Sequence, residues 1–370
     1  MLAIIAAALL AGSLVYCLLV VIAARRYLAQ KIPSGTPPAP ICVLKPLSGI
    51  DEGLELNLRS FFEQDHPEFE ILFAVREASD PAAGVVRRLI AEFPGRSARL
   101  LVTGDPPYPN AKVFSLDRMM AEARYDLLVM SDSDIRVAPG FLRSIAAEFS
   151  DGSVDIATCP YRAVAGASVW SQLEAEGMNT EFLGGLLVAR LVEGVKFAVG
   201  PTIAARKPAL EKIGGFDRLK DYLAEDFVMG KFAAEAGMGV ILSRNIIEHR
   251  IGSESLRASI SHRLRWVRST RRSRPAGYIG QLFTHTLPLA VLLWIIAPRW
   301  WPVVLAAALI RTLAAWATCA WILHIRPRWP LLLFQDFLSF LFWIAGFFGN
   351  TILWRGRRYY VYPDGRFEAR

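Results

Sequence analysis

Apolar and polar positions fall into three regimes along this chain. Residues Leu2 to Ala24 hold no charged side chain, and Arg25-Arg26 follows at once. Twenty-three such residues are long enough to span a bilayer with some tilt. A cleaved signal peptide carries its charge before a shorter apolar core, whereas here the basic pair comes after it. The segment is therefore predicted to be an uncleaved anchor. Positive charge stays inside, which places the N-terminus outside and everything after Arg25 in the cytoplasm.

A second apolar block runs from Tyr278 to Trp354. It splits at Pro298-Arg299 and at His324-Ile325-Arg326-Pro327-Arg328 into candidate spans 279–297, 300–323 and 331–354. Three crossings would leave the tail Arg355-Gly356-Arg357-Arg358 outside, against the charge rule. Two crossings and one re-entrant or interfacial piece would keep it in the cytoplasm. Thr284, His285, Thr286 and Pro288 mark 279–297 as the expected non-spanning piece. Arg311 and Asp336 lie in the other two segments, where isolated charge is costly, and they are expected to pair.

Between the blocks lie about 250 residues, one large domain by the usual size range. The Pro-, Ser- and Gly-containing stretch Lys31 to Pro40 reads as a linker. Short β-branched runs at Ile41–Leu44, Glu70–Val75, Arg99–Val102, Asp126–Met130 and Asp155–Cys159 predict strands. Helical stretches at Leu54–Glu63, Pro81–Phe93 and Val113–Ala123 separate the first four. Such alternation predicts a doubly wound α/β sheet with ligands off the carboxyl ends of its strands. The expected organisation is an anchor over 1–24, a linker over 25–40 and an α/β domain over 41–249. A basic interfacial segment over 250–277, a membrane region over 278–354 and a basic tail over 355–370 follow.

Composition narrows the class. Of 370 residues 53% are hydrophobic, and 42 Lys+Arg against 34 Asp+Glu give a net charge of +8. Mean hydropathy is +0.32. Disorder, collagen-like repeats and a disulfide scaffold are excluded. Cys17, Cys42, Cys159 and Cys319 show no zinc or disulfide spacing, so reduced thiols are expected. From Arg250 to Arg274 there are eight arginines and one acid, Glu254. A basic helix there is expected to lie along the anionic leaflet. Its place beside a membrane block argues against nucleic-acid binding.

The strand ending at Met130 is followed by Ser131-Asp132-Ser133-Asp134. Carboxylates at i and i+2 on a sheet's carboxyl edge suit Mg²⁺ or Mn²⁺, which share coordination with substrate phosphates. A pair of solvated loop aspartates is the plainer alternative. Glu225-Asp226 opens a helical stretch through Ala236. The pair either favours the helix dipole or supplies a general base, and nothing local decides between these.

Taken together these residues resemble the ceramide glucosyltransferase family, glycosyltransferase family 21, and the neighbouring hopanoid-biosynthesis-associated glycosyltransferases. The resemblance rests on three separated aspartate motifs, Ser79-Asp80-Pro81, Asp132-Ser133-Asp134 and Ala224-Glu225-Asp226. His262-Arg263-Leu264-Arg265-Trp266 follows, where the family carries (Gln/Arg)-x-x-Arg-Trp. Val43-Leu44-Lys45-Pro46-Leu47, Asn57–Asp65 and Trp354–Tyr359 also look like the family, so the likeness covers nearly the whole chain in order.

The resemblance implies a GT-A fold with transmembrane helices at both ends. It implies inverting transfer of a sugar from a UDP-sugar to the hydroxyl of a membrane lipid. Asp226 is then the expected base with Glu225 beside it. Asp132 and Asp134 would hold the metal, and Arg265 would be a fixed cation for the departing diphosphate. Lys112 is a further candidate phosphate contact, Asp80 a contact to uracil or ribose, and Trp266 an apolar face for the acceptor. His262 departs from the pattern, because an imidazole carries no permanent charge near pH 7. Two acceptors are implied, ceramide with glucose or a hopanoid polyol with N-acetylglucosamine. The short tail and His-x-x-Arg-Trp lean toward the second. A bacterial inner membrane, with the catalytic domain in the cytoplasm, is the expected location. The competing classes are a processive polysaccharide synthase, which needs more membrane helices, and a transporter, which would leave the aspartates without a purpose.

Overall fold

The computed structural model describes residues 1–31, 38–150, 152–354 and 356–370. Residues 32–37 of the expected linker, and Arg355 of the closing motif, lie outside the described residues. Helix α1 (Leu2–Leu28) leads into β1 (Ile41–Pro46), α2 (Leu54–Phe62), β2 (Phe69–Val75), α3 (Pro81–Glu92), β3 (Ser97–Val102), α4 (Ala111–Glu122) and β4 (Leu127–Ser131). These match the alternation read from the sequence. Helix α4 begins two residues early because Asn110 Oδ1 accepts the amide of Val113 at 3.2 Å and caps the first turn. Strands β2 and β4 are buried at every position, as continuous apolar runs must be when helices cover both faces.

The second half adds β5 (Ile135–Arg136), α5 (Phe141–Glu148), β6 (Ile156–Thr158), β7 (Tyr161–Ala165), α6 (Val169–Gly177), α7 (Leu183–Glu193), β8 (Thr202–Arg206), α8 (Lys207–Lys212), α9 (Glu225–Glu235), β9 (Val240–Leu242) and β10 (Ile247–Gly252). The main sheet runs β3-β2-β1-β4-β8-β6-β9. Strand β8 is antiparallel to both neighbours, so the sheet is mixed. A second sheet, β5-β10-β7, sets His249 opposite Ile135.

Helices α10 (Leu256–Ser273), α11 (Pro275–Gly280), α12 (Thr286–Ile296), α13 (Trp301–Trp316) and α14 (Trp329–Ala345) complete the helical part. Among the described residues, Leu2–Leu28 and Pro298–Ile322 are long and apolar enough to cross a membrane. The pair α11–α12, bent by 65°, adds a third if it is one broken span. Contacts show where the other pieces pack. Leu289, Ala290 and Leu293 pack on Ala6, Leu10 and Ala307. Thr286 Oγ1 meets Ser13 Oγ at 2.7 Å. Helix α12 thus packs along the N-terminal half of α1, and its 65° bend from α11 makes the pair either one broken span or the re-entrant piece expected for 279–297. The candidate 331–354 is not one span. Helix α14 has only 17 residues, about 25 Å, and meets the α/β domain at its start and α10 and α11 at its end. There Arg328 N donates to the Glu176 carboxylate at 3.3 Å, and Gly346 abuts Val267 and Tyr278.

Its expected last residues form β11 (Thr351–Trp354) instead, paired with β12 (Arg357–Val361), which pairs with β13 (Phe367–Ala369). Ile352, Tyr359, Val361 and Phe367 pack on Leu223, and Phe367 N donates to Asp221 O at 2.9 Å. The tail is therefore seated on the α/β domain, on the same side of any membrane. Arg311 and Asp336 do pair, through two hydrogen bonds of 2.9 and 2.8 Å.

The arginines of α10 are not simply a surface stripe, as had been expected. Arg268 donates to Thr351 O at 2.6 Å and Arg271 to Gly349 O at 2.9 Å. Arg271 and Arg272 share Asn350 Oδ1. They hold the 349–351 segment between α14 and β11 by bonding its carbonyls and the Asn350 side chain. All four cysteines are free and buried.

Candidate active site

The DxD turn follows β4 at the carboxyl edge of the sheet, and several elements hold it. Asp132 N donates to Pro201 O at 3.0 Å, while Arg250 N donates to Asp134 O at 2.8 Å. Ser133 Oγ donates to Asp51 Oδ2 at 2.5 Å. Lys45, at the end of β1, is fully buried. Its ammonium donates to the Asp132 carbonyl and lies 4.1 Å from the Phe61 ring centre. Burial pushes this lysine down to about 7, against the pull of Asp132, Asp134 and Asp51.

Helices α4 and α9 bring the remaining charges to the same edge. Lys112 Nζ lies 2.8 Å from Asp132 Oδ1 and 3.3 Å from Glu225 Oε1. The other Glu225 oxygen accepts from Asn110 Nδ2 at 3.3 Å. Burial alone would lower Lys112, but the charges of Asp132 and Glu225 hold it above the ordinary lysine value. Asp226 is the next residue of α9. Burial, then the charge of Glu225, pushes its carboxyl up to about 6. Its Oδ2 stands against Gly200, where an added Cβ would come within 2.8 Å.

Burial raises Asp132 despite Lys112. Asp134 is held low in spite of burial, because His249 Nε2 lies 3.1 Å from its Oδ2. Asp134 Oδ1 is buried with no hydrogen-bond partner among the described residues. Two hard carboxylates, one with an orphaned buried oxygen, fit a divalent oxygen-seeking cation. His249 continues into an aromatic series: Tyr161 at 5.2 Å, Phe182 stacked on Tyr161 at 5.2 Å, and Trp266 of α10 at 5.9 Å from Phe182. Trp266 thus packs on the domain's core, linked through these rings to the DxD turn.

The other expected site residues lie further out. Asp80 caps α3, accepting from Ala82 N at 2.9 Å and from Gly49 N at 3.1 Å, and so ties the loops after β1 and β2 together. His262 Nδ1 lies 2.6 Å from Glu174 Oε1, with its ring 5.3 Å from Trp266. Glu174, Glu254 and His262 bring ligand-type atoms within 4.8 Å of one another. Against its burial, His262 keeps Glu174 low; burial and Glu174 push Glu254 up to about 7. Arg265 is half-buried on the same helix.

A model of glycosyl transferase family 21 matches residues 4–367. The chain belongs to glycosyltransferase family 21. Ceramide glucosyltransferase 1 of Caenorhabditis elegans is 31% identical over 248 residues, covering 64% of this chain and 50% of that protein. The ceramide glucosyltransferase of Komagataella phaffii is 40% identical over 113 residues, covering 29% of this chain and 22% of its own. The chain spans about half the length of the Caenorhabditis relatives it matches. A solved mannosyltransferase from Pyrobaculum calidifontis, in complex with GDP-Man and Mn2+, superposes with a TM-score of 0.56 at 20% identity. That match covers 94% of this chain and 97% of the other. The GT-A fold that the sequence predicts for this family 21 chain is the fold observed.

Sequence reasoning gave no role to Lys45, Asn110, Glu174, Gly200 or His249. Lys45 sat in the family-like stretch Val43–Leu47, at the end of β1. His249 gave no signal, because only the antiparallel register of β5 and β10 brings it to Asp134.

Proposed function

We propose that this family 21 chain is an inverting glycosyltransferase that moves a sugar from a UDP-sugar to the hydroxyl of a membrane lipid. The observation that carries this reading is the cluster Asp132, Lys112, Glu225 and Asp226 at the sheet's carboxyl edge, in a domain tied to apolar helices at both ends. Asp226 is the base. Lys112 and Asn110 engage both Glu225 oxygens, whereas the Asp226 carboxyl is poised near 6. The acceptor oxygen attacks the anomeric carbon and its proton passes to the Asp226 carboxylate. The bond from that carbon to the diphosphate oxygen breaks, and its electron pair leaves with UDP. Asp132 and Asp134 would hold Mn²⁺ or Mg²⁺, which when bound neutralises the leaving diphosphate. Lys112 anchors Asp132, and Arg265 adds fixed positive charge from α10. Asp80 contacts the nucleoside, and Trp266 faces the acceptor beside His262.

The relatives bear the name ceramide glucosyltransferase, which favours glucose and ceramide over the hopanoid pair. The domain and the tail that packs on it lie in the cytoplasm, at a bacterial inner membrane. The test is transfer of label from UDP-glucose or UDP-N-acetylglucosamine to ceramide or a hopanoid polyol in membranes containing the protein. Labelled ceramide from UDP-glucose is expected, with loss in Asp226→Asn. No labelled lipid from any pair, with folded protein, overturns the reading.

A further inference from the structure

A cleft that shares no residue with the carboxylate cluster lies beside the β9 edge of the main sheet. The C-terminal end of α1, the C-terminal end of α7 and the edge strand β9 enclose a half-open cavity of about 520 Å³. Arg26, Gln30 and Arg190 line one part of it, and Leu191, Val195 and Val240–Leu242 the rest. No carboxylate among the described residues lines it. Arg190 donates to the neutral Gln30 side chain at 3.2 Å, and neither Arg26 nor Arg190 has an acidic partner among the described residues. The nearest acid in sequence, Glu193, is taken by Arg274 at 2.5 Å. Arg244 caps α1 beside the cleft, donating to the carbonyls of Tyr27, Leu28 and Gln30, and adds a third cation.

The level of the cleft follows from α1. Its uncharged run ends at Ala24, and the Arg25 guanidinium sits 5.3 Å from the ring of Trp321, at the end of the apolar helix Pro298–Ile322. Arginine and tryptophan at matching helix ends mark a membrane–water interface. Two uncompensated arginines there, over a partly apolar floor, are complementary to a phosphate whose acyl chains stay in the bilayer. Exposed Val192 and Leu28 border the same ends of α7 and α1 and extend that apolar surface.

We propose that this cleft binds the headgroup phosphate of an anionic phospholipid, as a site separate from the one that transfers sugar. The site holds the inner end of α1 against α7 and β9, and so orients the domain on the leaflet. Its test needs no sugar substrate. The full-length protein in detergent is titrated with dioleoyl-phosphatidylglycerol, dioleoyl-phosphatidylcholine or inorganic phosphate. Thermal unfolding is followed, and retained lipid is counted by native mass spectrometry. Wild type is expected to gain stability with phosphatidylglycerol only. In Arg26→Gln/Arg190→Gln the apparent affinity should fall about thirty-fold, while Arg26→Lys/Arg190→Lys and the distant Arg299→Gln retain it. Should the double glutamine variant not fold, Arg26→Gln alone, at an exposed position, should weaken binding about five-fold. Equal phosphatidylglycerol affinity in folded wild type and glutamine variants would overturn the proposal. So would equal stabilisation by phosphatidylcholine, or a matching effect from inorganic phosphate alone.

Discussion

Gly200 offers a sharp probe of the base because the three atoms nearest a new methyl there all belong to Asp226. A Cβ built there lies 2.8 Å from Asp226 Oδ2, 3.3 Å from Cγ and 3.6 Å from Cβ. Ordinary contact begins near 3.4 Å, so Gly200→Ala must push the carboxylate away by roughly 0.6 Å, the difference between those distances. The backbone at 200 is not in the left-handed region, so alanine adds no strain of its own. Its effect on stability should stay within about 1 kcal/mol, with reduced unfolded-state freedom offsetting the crowding. Catalysis is far less tolerant, since a shift approaching 1 Å at a reacting group costs on the order of 100-fold. The expected result is a loss of about 10- to 100-fold in kcat, an unfolding temperature near wild type, and little change in donor KM. The assay is initial-rate transfer of labelled sugar, alongside thermal unfolding, with Gly95→Ala as a control in open space. Near-normal kcat in folded Gly200→Ala would refute the placement of Asp226 as the base.

Three further outcomes follow from the same geometry. Because burial and Glu225 lift Asp226 to about 6, the competent deprotonated form prevails above that pH. Turnover should therefore halve near pH 6 and drop tenfold per unit below it, a limb read from the pH–rate profile and missing in residual Asp226→Asn activity. Excess EDTA should abolish transfer and Mn²⁺ restore it, while Asp134→Asn should demand far more Mn²⁺ for half-maximal rate. Activity indifferent to EDTA would remove the metal from Asp132 and Asp134. Asp336→Leu leaves the Arg311 guanidinium, whose side chain is 6% exposed, without its bidentate partner, and should cost about 3–5 kcal/mol in detergent unfolding. Arg311→Met/Asp336→Leu should recover most of that loss, and a costless single variant would show that the pair is not buried.

Local pattern was enough for much of this protein. The anchor declares itself by 23 uncharged residues, because a span's length is set by bilayer thickness and needs no partner. Strands β1 to β4 and their helices were legible for a similar reason, since each carries its own apolar run and its own caps. The DxD at the end of β4 followed from that reading, as loops after parallel strands gather at one edge.

Other features depend on register and packing that no window of sequence encodes. Strand β8, the alanine-rich Thr202–Arg206, looks unremarkable in isolation and is a strand only because β4 and β6 supply hydrogen bonds on both sides. Thr351–Trp354 reads as apolar enough for a membrane, yet pairs with Arg357–Val361 and packs on Leu223. Composition reports what a segment can bury; where it buries it is settled by the neighbours it meets. The same holds for the candidate site. Asp132, Asp134, Glu225 and Asp226 stand out in sequence as acidic motifs, but their inequality comes from tertiary contacts. Asn110 and Lys112 occupy Glu225, His249 holds Asp134 ionised, and burial against Gly200 lifts Asp226. Residue type was written in the chain, whereas charge state and reach were decided by groups brought from 26 positions away, as Gly200 to Asp226, to 115, as His249 to Asp134, because electrostatic fields and excluded volume act through space.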